Sequence, residues 1–160
     1  MNDELSAVPE TQVSEEVAAL EQELEVDGVL VGIVMGSESD MPAMEKAAAE
    51  LNRRGIANEI RVMSAHRNPD TVAEYSKTAQ ARGLKVLIAG AGLAAALPGA
   101  VAAHTELPVI GVPLTSKTSI AGGLDALLSI TQMPPGVPVA CVGVDNARNA
   151  AVLAARIIGA

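Results

Sequence analysis

Three short stretches hold residue types that could bind a phosphate and move a proton. Ser64-Ala65-His66-Arg67-Asn68-Pro69 sets an imidazole beside a guanidinium, in a turn that Pro69 restrains. Imidazole as a class titrates near neutral pH, so it both gives and takes protons, and the planar guanidinium fork matches a phosphate. Gly36-Ser37-Glu38-Ser39-Asp40 offers a turn-forming glycine and two hydroxyls. With the exposed amides of a following helix these could hold an anion or sugar hydroxyls, and Asp40 could cap the helix and accept from a ribose. Taken alone, that stretch reads better as an ordinary Ser/Asp cap. The third, Ala89-Gly90-Ala91-Gly92-Leu93-Ala94-Ala95-Ala96-Leu97-Pro98-Gly99, carries almost no side chains near its start, so its amides can approach a flat ligand closely. It has no GxGxxG or Walker spacing, which points away from dinucleotides and nucleoside triphosphates.

For these stretches to cooperate, the elements before them must end at one place. Val29–Met35 is a continuous apolar run, as in a strand covered on both faces. A helix follows, with Asp40 at its cap, Pro42 in its first turn, Met44, Ala48 and Leu51 on one stripe and Gly55 as its stop. Glu59–Met63 reads as a second strand, then a helix from Pro69 towards Arg82 that ends at Gly83. Lys85–Ala89 is a third strand, Leu93–Ala103 a small-residue helix, and Val109–Val112 a fourth strand bounded by Pro108 and Pro113. Leu124–Gln132 is expected to be helical, Val137–Val144 a fifth strand, and Asn146–Ile158 a closing helix. This alternation predicts an α/β fold: a three-layer, doubly wound parallel sheet with the flavodoxin-like order 2-1-3-4-5. Ligands of such sheets sit beyond the carboxyl ends of the strands, at the switch between the first and third, where the three stretches would converge.

Composition narrows the partners. The 160 residues are 49% hydrophobic and 19% charged, enough for one sizeable core. With no Trp, no Phe and one Tyr, that core must be aliphatic, and stacking platforms for nucleic-acid bases are absent. Residues 1–27 hold nine acids and no Lys or Arg, while residues 28–160 hold eleven basic against ten acidic residues, a balance of +1. The acidity belongs to an extension expected to be disordered, or at most a fraying helix over Ser14–Leu24 with Val17, Leu20 and Leu24 on one face. The body, 28–160, is expected to be a single domain, without an electrostatic footprint for nucleic acid, that would carry any catalysis. Cys141 is the sole cysteine, so no internal disulfide forms, and no His/Cys spacing suggests zinc. No apolar run spans a bilayer and no secretory signal is visible, so the expected compartment is the cytoplasm. Cys141 reads as a small buried hydrophobe, Tyr75 as packing, and His104 as a surface residue late in a helix.

Gly36-Ser37-Glu38-Ser39-Asp40, Ser64-Ala65-His66-Arg67, Ala89-Gly90-Ala91-Gly92, Leu107–Pro113 and Gly123–Pro134 occur together and in order. In that combination the chain resembles the bacterial 5-(carboxyamino)imidazole ribonucleotide mutases, of the aminoimidazole ribonucleotide carboxylase family, over nearly all of 28–160. The resemblance implies transfer of a carboxylate from the exocyclic nitrogen to ring carbon 4, in purine (IMP) biosynthesis. It implies decarboxylation, retention of carbon dioxide, recarboxylation and loss of the ring proton, with no metal, biotin or ATP. It further implies that His66 is the general acid and base, and that Ser37, Ser39, Asp40 and Arg67 bind substrate, Asp40 on the ribose and Arg67 on the phosphate. Ser64, Ala65, Gly90, Ala91 and Gly92 would line the imidazole and carbon dioxide pocket. A homo-octamer is implied too, and the apolar segment Ser116–Pro138 is richer in Leu, Ile and Met than a surface loop requires.

The chain departs from the family pattern at Ala96, where the bacterial mutases usually carry His. A carboxylase that takes aminoimidazole ribonucleotide and free carbon dioxide is the nearest alternative, although that class tends to carry Lys where this chain has Arg67. A non-catalytic sensor of ribonucleotide phosphates is another, motivated by Ala96 and the acidic extension.

Overall fold

The computed structural model describes residues 28–159. The acidic extension 1–27, with the helix expected over Ser14–Leu24, lies outside the described residues, as does residue 160.

Every residue of β1 (Val31–Met35) is buried, because the strand runs inside a sheet covered on both sides. With β2 (Asn58–Val62), β3 (Val86–Gly92), β4 (Val109–Leu114) and β5 (Ala140–Cys141) it forms one parallel sheet in the expected order, β2-β1-β3-β4-β5. The connections run through α1 (Met41–Arg53), α2 (Pro69–Ala79), α3 (Leu97–Ala102), α4 (Leu124–Thr131) and α5 (Ala147–Gly159).

The period-two alternation of the strands sorts their side chains into two aliphatic cores. Val31, Ile33, Met35, Val86, Ile88 and Ile110 pack against Met44 and Leu51 of α1 and the alanine face of α5, Ala150, Ala151 and Ala154. On the other face, Val34, Leu87, Ala89 and Val109 meet Val72 of α2, Leu97 and Val101 of α3, and Ala126 and Ile130 of α4. Burying each of the larger aliphatics stabilises by about 1.5–3 kcal/mol. Tyr75 packs as expected, its hydroxyl in the space over Gly32, where a Cβ would fall on Tyr75 Oη and lie 2.6 Å from Leu84 Cδ2. The phenol donates to Glu59 Oε1 at 2.8 Å, and the Arg82 guanidinium lies 4.7 Å from the ring centroid.

Boundaries differ from expectation where backbone chemistry overrides side-chain pattern. β3 continues past Ala89 because Ala91 and Gly92 still pair with Pro113 and Leu114. The helix expected from Leu93 therefore starts only at Leu97, after Leu93 (φ 55°) and Ala95 (φ 26°) turn the chain through left-handed conformations. Pro113 does not end β4: β5 pairs only with Ile110 and Gly111, so the proline lies beyond that ladder. The fifth strand shrinks from Val137–Val144 to Ala140–Cys141, since Gly136 (φ 89°) and Asp145 (φ 58°) turn the chain and Pro138 lacks an amide hydrogen. β1 begins two residues late and β2 one residue early, and α2 stops at Ala79, short of Arg82. Cys141 is half-buried rather than fully buried, with burial pushing its thiol pKa up. His104 lies just past α3, its Nδ1 2.9 Å from the Ala100 carbonyl.

Candidate functional site

The strands' shared direction brings the loops after β1, β2, β3 and β4 to one rim, around a cleft of about 220 Å³. The β1 loop folds on itself. Ser37 Oγ accepts from the Ser39 amide at 3.3 Å and the Ser39 hydroxyl at 3.0 Å, and the Asp40 amide donates to the Ser37 carbonyl at 3.0 Å. Ser37 thus caps the 3-10 turn Glu38–Asp40, and Asp40, expected as the α1 cap, makes no side-chain cap bond. Burial raises the Asp40 pKa, and a hydrogen bond from the Ser37 backbone and the charge of Arg67 only partly offset it.

Around buried Ser64 the β2 loop is a tight knot. The Arg67 amide donates to Ser64 Oγ at 3.3 Å, the Asn68 amide to the Ser64 carbonyl at 2.8 Å, and the Ser64 amide to Asn68 Oδ1 at 3.4 Å. This knot holds His66 exposed at the rim and turns Arg67 across to the β1 loop, where Nη2 donates to the Gly36 carbonyl at 2.6 Å. One guanidinium nitrogen is so committed, and the remaining donors of the fork stay available to an anion.

Behind these lies the β3 loop, almost bare of side chains. Ala91, Gly92, Leu93, Ala95, Ala96 and Leu97 border the cleft, and the Ala95 amide closes the turn onto the Gly92 carbonyl at 3.0 Å. Non-glycine residues held at positive φ, here Leu93 and Ala95, are strained and persist only where the surroundings enforce them. Ala96 borders the same cleft.

Of the residues singled out from sequence, Ser37, Ser39, Asp40, Ser64, Ala65, His66, Arg67, Ala91 and Gly92 all border the cleft. Gly90 does not: it sits deeper in β3, where a Cβ would fall on Met44 Sδ, so it serves packing under α1. Sequence reasoning missed Thr115 and Ser116, which close the fourth side, and Asp145, which accepts from Thr115. The strand-end rule that located the first three loops applies equally to β4 and was the available signal. Among the described residues no three His, Cys, Asp or Glu side chains stand together as metal ligands.

The arrangement can hold an anion at Arg67 and the serine loop, pass a proton through His66, and seat a flat group against the bare β3 loop. The AIR carboxylase family model matches residues 30–160. The chain is 58% identical over 130 residues to N5-carboxyaminoimidazole ribonucleotide mutase of Pyrococcus horikoshii, covering 81% of this chain and 72% of that protein. Against the same enzyme of Thermotoga maritima it is 60% identical over 129 residues, covering 81% and 74%. The crystal structure of Treponema denticola PurE superposes with a TM-score of 0.70 at 38% identity, covering 81% of this chain and 80% of that one.

Proposed function

Since the chain belongs to the AIR carboxylase family, we propose how its cleft performs the N5-carboxyaminoimidazole ribonucleotide mutase reaction of purine biosynthesis. The substrate phosphate binds Arg67 and the Ser37 and Ser39 loop, the ribose is held by Asp40, and the imidazole lies against Ala91 and Gly92. The bond between the exocyclic nitrogen and the carboxylate carbon breaks, releasing carbon dioxide, and the nitrogen gains a proton. Ring carbon 4 then attacks the retained carbon dioxide and loses its own proton, so atoms and charge balance. His66 donates and accepts these protons, a role suited to imidazole at neutral pH.

Carbon dioxide has little to hold it, and the small-residue β3 wall lets the backbone close around it without a competing side chain. The observation that carries this reading is the cross-loop bond from Arg67 to Gly36, which sets the anion-binding fork beside both His66 and the serine loop. The test incubates the full chain with N5-carboxyaminoimidazole ribonucleotide without ATP and follows the carbon-carboxylated isomer. Expected is turnover faster than with aminoimidazole ribonucleotide and bicarbonate; preference for the latter pair, or no product from either, would overturn the assignment.

The working form is a cytoplasmic homo-octamer in this reading. Supporting association, Leu124 and Leu128 form an apolar stripe one turn apart on α4, 44% and 49% exposed, and Ile120, across the left-handed turn at 121–123, is 69% exposed. Such a stripe is more apolar than a free surface requires. No described helix is long and apolar enough to cross a membrane. Light scattering of the purified chain tests the assembly: an octamer mass supports it, and a monomer at micromolar concentration rules it out.

A further inference from the structure

We infer that Thr115 is a hydrogen-bond acceptor in the substrate site, its hydroxyl proton held by Asp145, and that it takes a donor on the uncharged part of the substrate, a sugar hydroxyl or an amino group. The inference rests on the mutase reading of the cleft and adds a subsite to it.

Thr115 borders the cleft at the end of β4. Asp145 holds it twice: the Thr115 amide donates to Oδ1 at 2.8 Å and the Thr115 hydroxyl to Oδ2 at 2.5 Å. Asp145 is fixed in turn, its own amide donating to the Pro113 carbonyl at 2.8 Å and its backbone in the left-handed region at φ 58°. A threonine hydroxyl has one proton and two lone pairs, and a carboxylate can only accept. With the proton committed to Asp145, Thr115 has only lone pairs to turn toward a ligand.

The neighbouring Ser116 makes no such offer. Its amide donates to Ser119 Oγ at 2.8 Å, and its hydroxyl lies 3.3 Å from Thr118 Oγ1 and 3.4 Å from Ser119 Oγ, tied into its own loop. The cleft is therefore polarised. At the β1 and β2 loops the Arg67 guanidinium and the Ser37 hydroxyl can donate, beside the Asp40 carboxylate, whereas the β4 loop presents a lone-pair acceptor backed by a carboxylate and no cation among the residues bordering the cleft. That difference fixes which way round a phosphorylated ligand lies.

Three full-length variants test this. Thr115→Val keeps the shape and removes the acceptor, and Thr115→Ser keeps the acceptor. Asp145→Asn keeps an oxygen for the Thr115 amide but turns an N–H₂ onto Oγ1, so the hydroxyl proton is released to point into the cleft against the substrate's donor. Calorimetric affinity for aminoimidazole ribonucleotide and KM for the carboxyamino substrate are expected to weaken about tenfold in Thr115→Val and Asp145→Asn, with kcat within about twofold. Thr115→Ser should bind as the wild type does. Aminoimidazole ribonucleotide analogues lacking the 2′-hydroxyl, the 3′-hydroxyl or the amino group identify the donor: the one lacking it binds wild type and Thr115→Val equally. Unchanged affinity in Thr115→Val, or an equal loss against every analogue, would overturn the inference. A wild-type chain that neither binds aminoimidazole ribonucleotide nor turns over would instead sink the mutase reading, and the subsite with it.

Discussion

Arg67 donates through Nη2 to the carbonyl of Gly36 at 2.6 Å, joining the loop after β2 to the loop after β1. The two residues lie 31 positions apart, and their bond makes one surface of two loops that share no strand pairing of their own. A change at Arg67 therefore acts on anion binding and on loop placement together. Arg67→Ala should raise KM at least tenfold, since hydrogen bonds to charged groups contribute about 1.5–3 kcal/mol. Arg67→Lys keeps the charge without the fork and should fall between the two. Steady-state kinetics on both variants check this; an unchanged KM in Arg67→Ala would remove the residue from phosphate binding.

His66 lies on the rim, and its backbone is held by the Ser64 knot rather than by its own side chain. Replacing it should leave the site's shape intact. His66→Asn is expected to lower kcat by about 10²–10⁴, the usual share of general acid–base catalysis, with affinity for aminoimidazole ribonucleotide within about twofold. Full turnover in this variant would show that another group, or water, carries the proton.

Gly90 is expected to fail through packing rather than chemistry. A Cβ there falls on Met44 Sδ and comes within 3.1 Å of Leu114 Cδ1, both buried in the core under α1. Gly90→Ala should destabilise the fold by about 1–3 kcal/mol, the ordinary cost of overpacking. Because the clash is with one flexible side chain, Gly90→Ala and Met44→Ala should be less than additive in chemical denaturation. Strict additivity would place the strain elsewhere.

The carboxylates give pH dependences of opposite sign. Buried Glu50 accepts from Arg54 at 2.7 Å and Arg148 at 2.9 Å and also pairs with Arg53; the Arg54 bond leads in lowering its pKa, against the cost of burial. At Glu59 burial is the largest influence and raises the pKa, but bonds from Arg82, Tyr75 and Arg61 together outweigh it, so the net shift is also downward. A lowered folded pKa gives stability that is complete above the unfolded value and lost as pH falls through the folded one. Urea midpoints should therefore drop as pH falls below about 4.5, and less so in Glu59→Gln.

At Asp40 the raised pKa reverses the sign: ionisation costs stability as pH rises from the unfolded value to the folded one. Asp40→Asn should raise the neutral-pH urea midpoint while weakening turnover, as expected where a site keeps a carboxylate that the fold would rather lose. A variant less stable than the wild type at neutral pH would contradict this.

The layered sheet was legible because β1 is uniformly apolar and punctuation by Gly55, Pro69 and Gly83 separates the units that follow. Three of the four loops around the cleft were legible as well, since His66, Arg67 and the serines are unusual neighbours. What escaped was set by backbone geometry and long-range pairing. Nothing local says that Leu93 and Ala95 take positive φ, so the helix seemed to start four residues early. Thr115 and Asp145 lie 30 positions apart, and each is an ordinary polar residue until the topology brings the ends of β4 and β5 together.

The chain holds one tyrosine and no tryptophan, and that ring is wedged between Gly32 and Arg82. Ultraviolet emission from the folded protein therefore looks at a single seam, where α2 meets β1 and β2. When that light changes, α2 is leaving the sheet and the His66 turn at its head goes with it, whereas loosening of α1 and α5 on the far face stays dark. Emission thus follows one side of the molecule alone, whereas far-ultraviolet dichroism, recorded on the same sample, sums the helices of both.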